Sequence, residues 1–152
     1  MADETNLIPA VDVPEFTEET DSYDTEYHPS IAWDLEAADF VRTPANRIPR
    51  SEGTEAYKVW CVKTVATERY SRAAYSDDIG TEMEDARTQP DRNAVELAIA
   101  RTIQEALMVN PRTQAVENFS FNWDDPGDVH VTFTVTGIDE ETFTLNTTIE
   151  AE

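Results

Sequence analysis

Near the C-terminus three lengths of chain alternate apolar and polar residues with period two. They are Val116-Glu-Asn-Phe119-Ser-Phe121-Asn-Trp123, Val129-His-Val131-Thr-Phe133-Thr-Val135 and Phe143-Thr-Leu145-Asn-Thr147-Thr-Ile149. Each reads as a strand with one apolar face, and the turn signals Asp124-Asp125-Pro126-Gly127 and Gly137-Ile-Asp139-Glu separate them in meander order. Upstream the period changes. Val95, Ala98, Ile99, Thr102, Ile103, Ala106 and Leu107 recur three and four residues apart, predicting a helix over 92–109. Asp91 is its expected cap, and Pro111 stops it by forcing the preceding residue out of the helical region. A first helix is predicted from 54 to 67, capped by Thr54. One broad side carries Ala56, Val59, Trp60, Lys63 and Thr64, with Tyr57, Cys61 and Val65 beside it and Trp60 at the centre.

Shorter signals fill the rest. Ser30-Ile31-Ala32-Trp33-Asp34 and Asp39-Phe40-Val41-Arg42 read as two short strands around a polar corner, followed by a loop from Thr43 to Arg50 between prolines. Thr81 to Arg87 makes a short acidic helix at most. A three-stranded meander with one apolar face needs cover, and the two longer helices supply it. The expected class is α+β in two layers: an antiparallel sheet of three to five strands under two main helices, with an extended acidic N-terminal arm. The arm is assigned to 1–29 and the domain to 30–152.

Charge changes the picture at the N-terminus. The chain of 152 residues carries a formal net charge of -21, and residues 1–41 hold twelve acids and no lysine or arginine. Pro9, Pro14 and Pro29 prevent a helix there. Leu7-Ile8-Pro9-Ala10-Val11-Asp12-Val13-Pro14-Glu15-Phe16 is more apolar than a plain solvated tail, so the arm is expected to fold along a neighbour. So acidic a chain has no basic surface to neutralise phosphates or anionic lipid, which argues against nucleic acid and membrane as partners. The single cysteine, Cys61, sits in an apolar run and reads as a buried thiol. No stretch is long and apolar enough to span a bilayer, and no basic leader precedes an apolar core, so cytoplasmic synthesis is expected.

Candidate chemistry is thin. Glu68 with Asp77 or Asp78, flanked by Tyr70 and Tyr75, could imitate the paired carboxylates of a glycosidase. With 32 acids in the chain such pairs arise by chance. His28 lies in the acidic arm and His130 on the polar side of its strand, and each reads as a solvated or hydrogen-bonded histidine rather than half of a ligand pair. Asp124-Asp125-Pro126-Gly127-Asp128 lacks the ligand spacing of a calcium loop. No catalytic residue, metal site or cofactor is expected.

Interaction features remain. Thr67 to Gly80 packs Arg69, Tyr70, Tyr75, an acidic pair and a lone glycine between the helices. Arg69, Tyr70, Tyr75 and Gly80 are expected to form a hydrogen-bonded structural corner. Pro111-Arg112 puts a guanidinium at the end of the main helix, where it favours the helix carbonyls or clamps a partner. The last strand reads as an edge, open to another chain or guarded by Glu150 and Glu152.

In order and spacing, Glu55-Ala-Tyr-Lys-Val-Trp60, Ala66-Thr67-Glu68-Arg69-Tyr70, Tyr75-Ser76-Asp77-Asp78-Ile79-Gly80, Asn110-Pro111-Arg112 and Gly127-Asp128-Val129-His-Val131-Thr-Phe133-Thr-Val135 resemble one family. It is that of the baseplate wedge and sheath-initiator proteins of contractile phage tails, in the branch found in Gram-positive prophages. The resemblance spans about 30–150. It implies a structural, non-enzymatic subunit of the virion tail baseplate, assembled in the host cytoplasm. Such a subunit lies next to the tail tube and seeds the sheath, which adds strands to its sheet. Its implied partners are the wedge subunits, the sheath protein and the tube or hub. The family's Glu-Pro-Arg motif contacts the wedge bundle; Asn110, Pro111 and Arg112 stand at that place, with asparagine where the family has glutamate. Two alternatives stay open: a lysozyme-like peptidoglycan hydrolase, the label some relatives carry, and a small regulatory binding protein on the same fold.

Overall fold

A computed structural model describes residues 26–34, 37, 39–124 and 127–150. Its main sheet is the meander: β5 (Thr113–Trp123), β6 (Val129–Gly137) and β7 (Thr142–Ile149), antiparallel in the order β5-β6-β7. Strict alternation along β6 buries Val129, Val131, Phe133 and Val135 and turns His130, Thr132 and Thr134 to the other side. Phe133 stands opposite Leu145, and Val135 between Val116 and Phe143, so one face is continuously apolar.

Two helices cover that face. In α1 (Gly53–Val65) and α3 (Arg92–Met108) the buried residues fall on single stripes: Tyr57, Cys61 and Val65 in one, Val95, Ile99, Ile103 and Leu107 in the other. Asp91 caps α3, its side chain accepting from the Ala94 N–H at 2.9 Å. At the other end the Thr113 hydroxyl donates to the Leu107 carbonyl at 2.7 Å, satisfying a helix-end acceptor before Thr113 enters β5. The Trp123 indole donates to Glu96 at 2.8 Å, which ties α3 to β5. Tyr57 meets Phe143 edge-on at 5.7 Å, which sets α1 over β7.

The small helix α2 (Met83–Arg87) packs against α3 through Ala86. Four two-residue strands form two ribbons: β1 (Ser30–Ile31) pairs with β4 (Arg50–Ser51), and β2 (Trp33–Asp34) with β3 (Asp39–Phe40).

The two-layer α+β class holds, and the main sheet has three strands, with the ribbons separate from it. Several details differ from the sequence reading. Thr54 does not cap α1. The cap position is Glu52, without a side-chain bond, and the Thr54 hydroxyl turns to Asp139 and Glu141 across the molecule. The helix ends at Val65: the Thr67 hydroxyl turns back to the Lys63 carbonyl at 2.7 Å, and the Thr67 carbonyl leaves the helical path to accept from the Thr81 N–H at 2.9 Å. Trp60 is only half-buried and Lys63 is exposed, so the core stripe of α1 is centred on Tyr57 and Cys61. Arg50, read as the end of the loop, and Ser51 after it pair with β1.

Candidate partner interfaces

Three surfaces have the build of contact sites. The first is the outer edge of β7. β5, at the opposite side of the sheet, is irregular: its pairing shifts register between Thr113 and Ala115 and again between Glu117 and Ser120, with Asn118 at φ 57°. Such bulges twist an edge and blunt it against added strands. β7 pairs without interruption from Thr142 to Ile149 and contains no charge and no proline. Beside it, under α1, lies a slot of about 50 Å3 between Val62, Val65 and Ala66 of the helix and Phe133 and Leu145 of the sheet.

The second surface surrounds Asn110, Pro111 and Arg112. Asn110 Oδ1 accepts from the Arg112 N–H at 3.0 Å, which fixes the turn out of α3, and Pro111 is exposed. Arg112 is only 6% exposed. Its Nε donates to the Glu26 carbonyl at 2.6 Å, and Nη2 lies 3.2 Å from His28 Nε2. A guanidinium presents several donors and no acceptor, so the imidazole nitrogen facing it accepts. Residues 26–29, assigned from sequence to the arm, thus lie as a strap against the domain. Tyr27 stacks on Tyr57 with ring centroids 4.7 Å apart, and Tyr57 stacks on Trp60 at 6.0 Å. The Tyr57 phenol donates to the Thr113 hydroxyl, whose own proton goes to Leu107. Burial pushes the Tyr57 phenol far above its ordinary range, and it pushes the neighbouring Cys61 thiol up to about 12.

The strap's other anchor is Asp139, in the β6–β7 turn. Tyr27 donates to Asp139 Oδ1 at 2.8 Å and Thr54 to Oδ2 at 3.1 Å. Partial burial alone raises the Asp139 carboxyl; the bonds from Tyr27, the Glu141 N–H and Thr54 outweigh it and hold the group below the ordinary carboxylate range. Burial, then the bond to this carboxylate, pushes the Tyr27 phenol up to about 12. A side chain at Gly137 runs into the Tyr27 phenol, so the turn needs glycine there.

The third surface is the loop between Glu68 and Thr81. Its neck is closed by the Arg69 N–H to Thr81 O at 2.8 Å, the Thr81 N–H to Thr67 O at 2.9 Å and the Thr81 hydroxyl to Val65 O at 3.0 Å. Arg69 reaches back to the Gly80 carbonyl at 3.1 Å and to Glu82 at 3.0 Å. Gly80 sits at φ 106°, where a Cβ lies 2.7 Å from the Thr67 carbonyl. Tyr70 and Tyr75 do not join this neck. They are 69% and 53% exposed, Tyr70 at φ 64°, and neither phenol meets a hydrogen-bond partner among the described residues. The mixture of arginines, tyrosines and acids placed them in the corner, since such groups need partners when buried; the loop instead carries both rings outward.

The carboxylates do not make an acid–base pair. Glu68 accepts from the Met83 N–H at 3.1 Å at the start of α2, and Asp77 and Asp78 are exposed in the loop. Burial raises the Glu68 carboxyl, the Met83 N–H opposing it. His130 lies on the outward side of the sheet between Asp124 at 2.8 Å and Thr148 at 2.9 Å. Among the described residues no group of three or more His, Cys, Asp or Glu could hold a metal ion, and no helix is long and apolar enough to cross a membrane. The apolar run 7–16 lies outside the described residues.

The family model of the contractile injection system sheath initiator matches residues 30–140, most of the chain. The chain belongs to that family. Among curated relatives of this sheath initiator is the phage-like element PBSX protein XkdS of Bacillus subtilis (strain 168), 34% identical over 86 residues. The match covers 55% of this chain and 60% of that protein, so it spans less than two thirds of the relative's length. A chain of the cryo-EM structure of the anti-feeding prophage (AFP) baseplate, 6-fold symmetrised, overlays at a TM-score of 0.48 and 14% identity, covering 82% of this sheath initiator and 87% of that chain.

The strap and its anchors were not read from the sequence. Tyr27 and Asp139 lie 112 residues apart, and no local pattern announces their bond. A usable signal was the exposed-looking Thr54 followed by no capping acid three residues on, which left its hydroxyl for another role.

Proposed function

We propose that this sheath initiator is a structural subunit of a contractile tail baseplate that starts the sheath by accepting an extended strand at β7. The observation that carries the reading is the contrast between the two sheet edges in a member of this family: β5 is bulged, while β7 is regular, uncharged and free of proline. Family membership supports a place beside the tail tube, contacts with wedge subunits through the surface around Pro111, and assembly in the host cytoplasm. Arg112 serves the wedge contact by holding the strap in place, and the exposed Pro111 and half-buried Asn110 present the turn itself. The role is assembly and not catalysis; Glu68, the best carboxylate candidate, is held by a helix N–H.

The test is to remove the protein from an assembling tail and image the products by negative-stain electron microscopy. Tubes and baseplates lacking ordered sheath are expected. Full-length sheaths seated on baseplates without this chain overturn the proposal.

A further inference from the structure

The β7 edge also constrains what can add to it. In a chain with 28% charged residues, Thr142–Ile149 carries none, yet Glu141 precedes it and Glu150 follows it, both exposed. The uncharged window of eight residues is thus closed at each end by a carboxylate. It is about 26 Å long at strand rise. On the side facing α1, the slot beside Leu145 has room for the tip of one aliphatic side chain and none for an aromatic ring. On the other side Thr144, Asn146 and Thr148 are exposed; Asn146 Oδ1 and the Thr148 hydroxyl already bond to Thr132 and His130 of β6, while the Thr144 hydroxyl is a further polar group on that side.

We propose that this edge selects its strand by a frame of charge and one slot: it takes a foreign extended segment, uncharged in the middle, basic at both ends, with a small aliphatic residue beside Leu145. The inference rests on the reading above that β7 accepts a strand. Two other occupants are set aside by charge. The chain's own first 41 residues hold twelve acids, no base and three prolines, so they meet Glu141 and Glu150 with like charge. A second copy pairing antiparallel in full overlap puts Glu141 opposite Glu150 twice, which is repulsive in directly opposed positions. A segment with lysine or arginine at each end gains two ion pairs in the same places.

Full-length protein is titrated at low salt with ten-residue peptides whose eight inner residues alternate valine and threonine, so that their ends reach Glu141 and Glu150 together, and amide exchange of β7 is followed in parallel. One peptide has lysine at both ends, one has glutamate at both ends, and one is lysine-ended with the valine opposite Leu145 replaced by tryptophan. The lysine-ended peptide is expected to bind about tenfold tighter than the glutamate-ended one, as two exposed ion pairs replace two repulsions. Added salt closes that gap. Glu150→Lys, at an exposed position, narrows it severalfold, and the tryptophan peptide binds about tenfold more weakly. If lysine- and glutamate-ended peptides protect β7 equally, strand acceptance stands and the charge frame falls. Equal binding of the tryptophan peptide removes the slot. If no peptide slows exchange in β7, the edge is not an acceptor and the underlying reading fails with the inference.

Discussion

At the scale of single residues, the neck of the 68–81 loop makes the sharpest demands. Arg69 spends its guanidinium on the Gly80 carbonyl and Glu82, and Gly80 stands where a methyl group collides with backbone. Arg69→Ala is expected to cost about 1–3 kcal/mol in chemical denaturation of the isolated protein, since it leaves a part-buried carbonyl without its donor. Gly80→Ala adds left-handed strain to a backbone clash and is expected to cost at least as much. Tyr70→Ala and Tyr75→Ala, by contrast, should leave the denaturation midpoint nearly unchanged, because both rings are in solvent. Buried protons give a second residue-level test. The Cys61 thiol, ordinarily near 9.0, and the Tyr27 phenol, ordinarily near 10.0, are each pushed up to about 12. The folded chain therefore holds these protons more tightly than the unfolded one. Their contribution is whole below pH 9 and is lost as pH rises through 12. Melting temperature should fall steeply across that window, and Tyr27→Phe should soften the upper part of the fall.

Among elements, the strap and β7 behave differently under perturbation. Arg112→Ala removes the donors that hold Glu26 and His28, so amides of 26–31 should exchange faster while those of β6 stay protected. The unfolding free energy should drop by about 2 kcal/mol, typical of bonds made by a charged donor. A variant with unchanged exchange at 26–31 would show that the clasp does not hold the strap. This element is also where sequence reading stopped. α3 and the meander were legible because their apolar residues repeat with one period over many residues and every turn is marked. The 30–34 and 39–42 stretches were legible as strands, but β4 and the split of 30–34 into β1 and β2 were not. Two-residue strands leave no period to detect, and β4 is seen only through its pairing of Ser51 with Ser30. The same reason hid Tyr57 as the centre of α1. Trp60 is larger and dominates the pattern, but the surface on which Tyr57 is buried is completed by Tyr27, from far outside the helix. The surface proposed for a partner was half legible: Pro111 and Arg112 stood out by chemistry, while Arg112 is buried with its donors on Glu26 and His28 of the strap.

For the whole molecule the governing quantity is its charge. At -21, with two lysines and nine arginines, the chain repels itself in the compact state. Raising sodium chloride from ~0.01 M to ~1 M shortens the Debye length from about 30 Å to about 3 Å, and the melting temperature is expected to rise with it. A protein held mainly by exposed ion pairs would show the reverse. Within this electrostatic setting the strap acquires a mechanical meaning. Before β1 begins, the chain from Glu26 is gripped by the Arg112 clasp, the Tyr27–Tyr57 stack and the Asp139 bond. A pull at Glu26 therefore meets these attachments before it reaches β1, and passes into α1 and the β6–β7 turn. The two-residue β1–β4 ribbon is thereby shielded from peeling at its N-terminal end, and the load is taken up by the core.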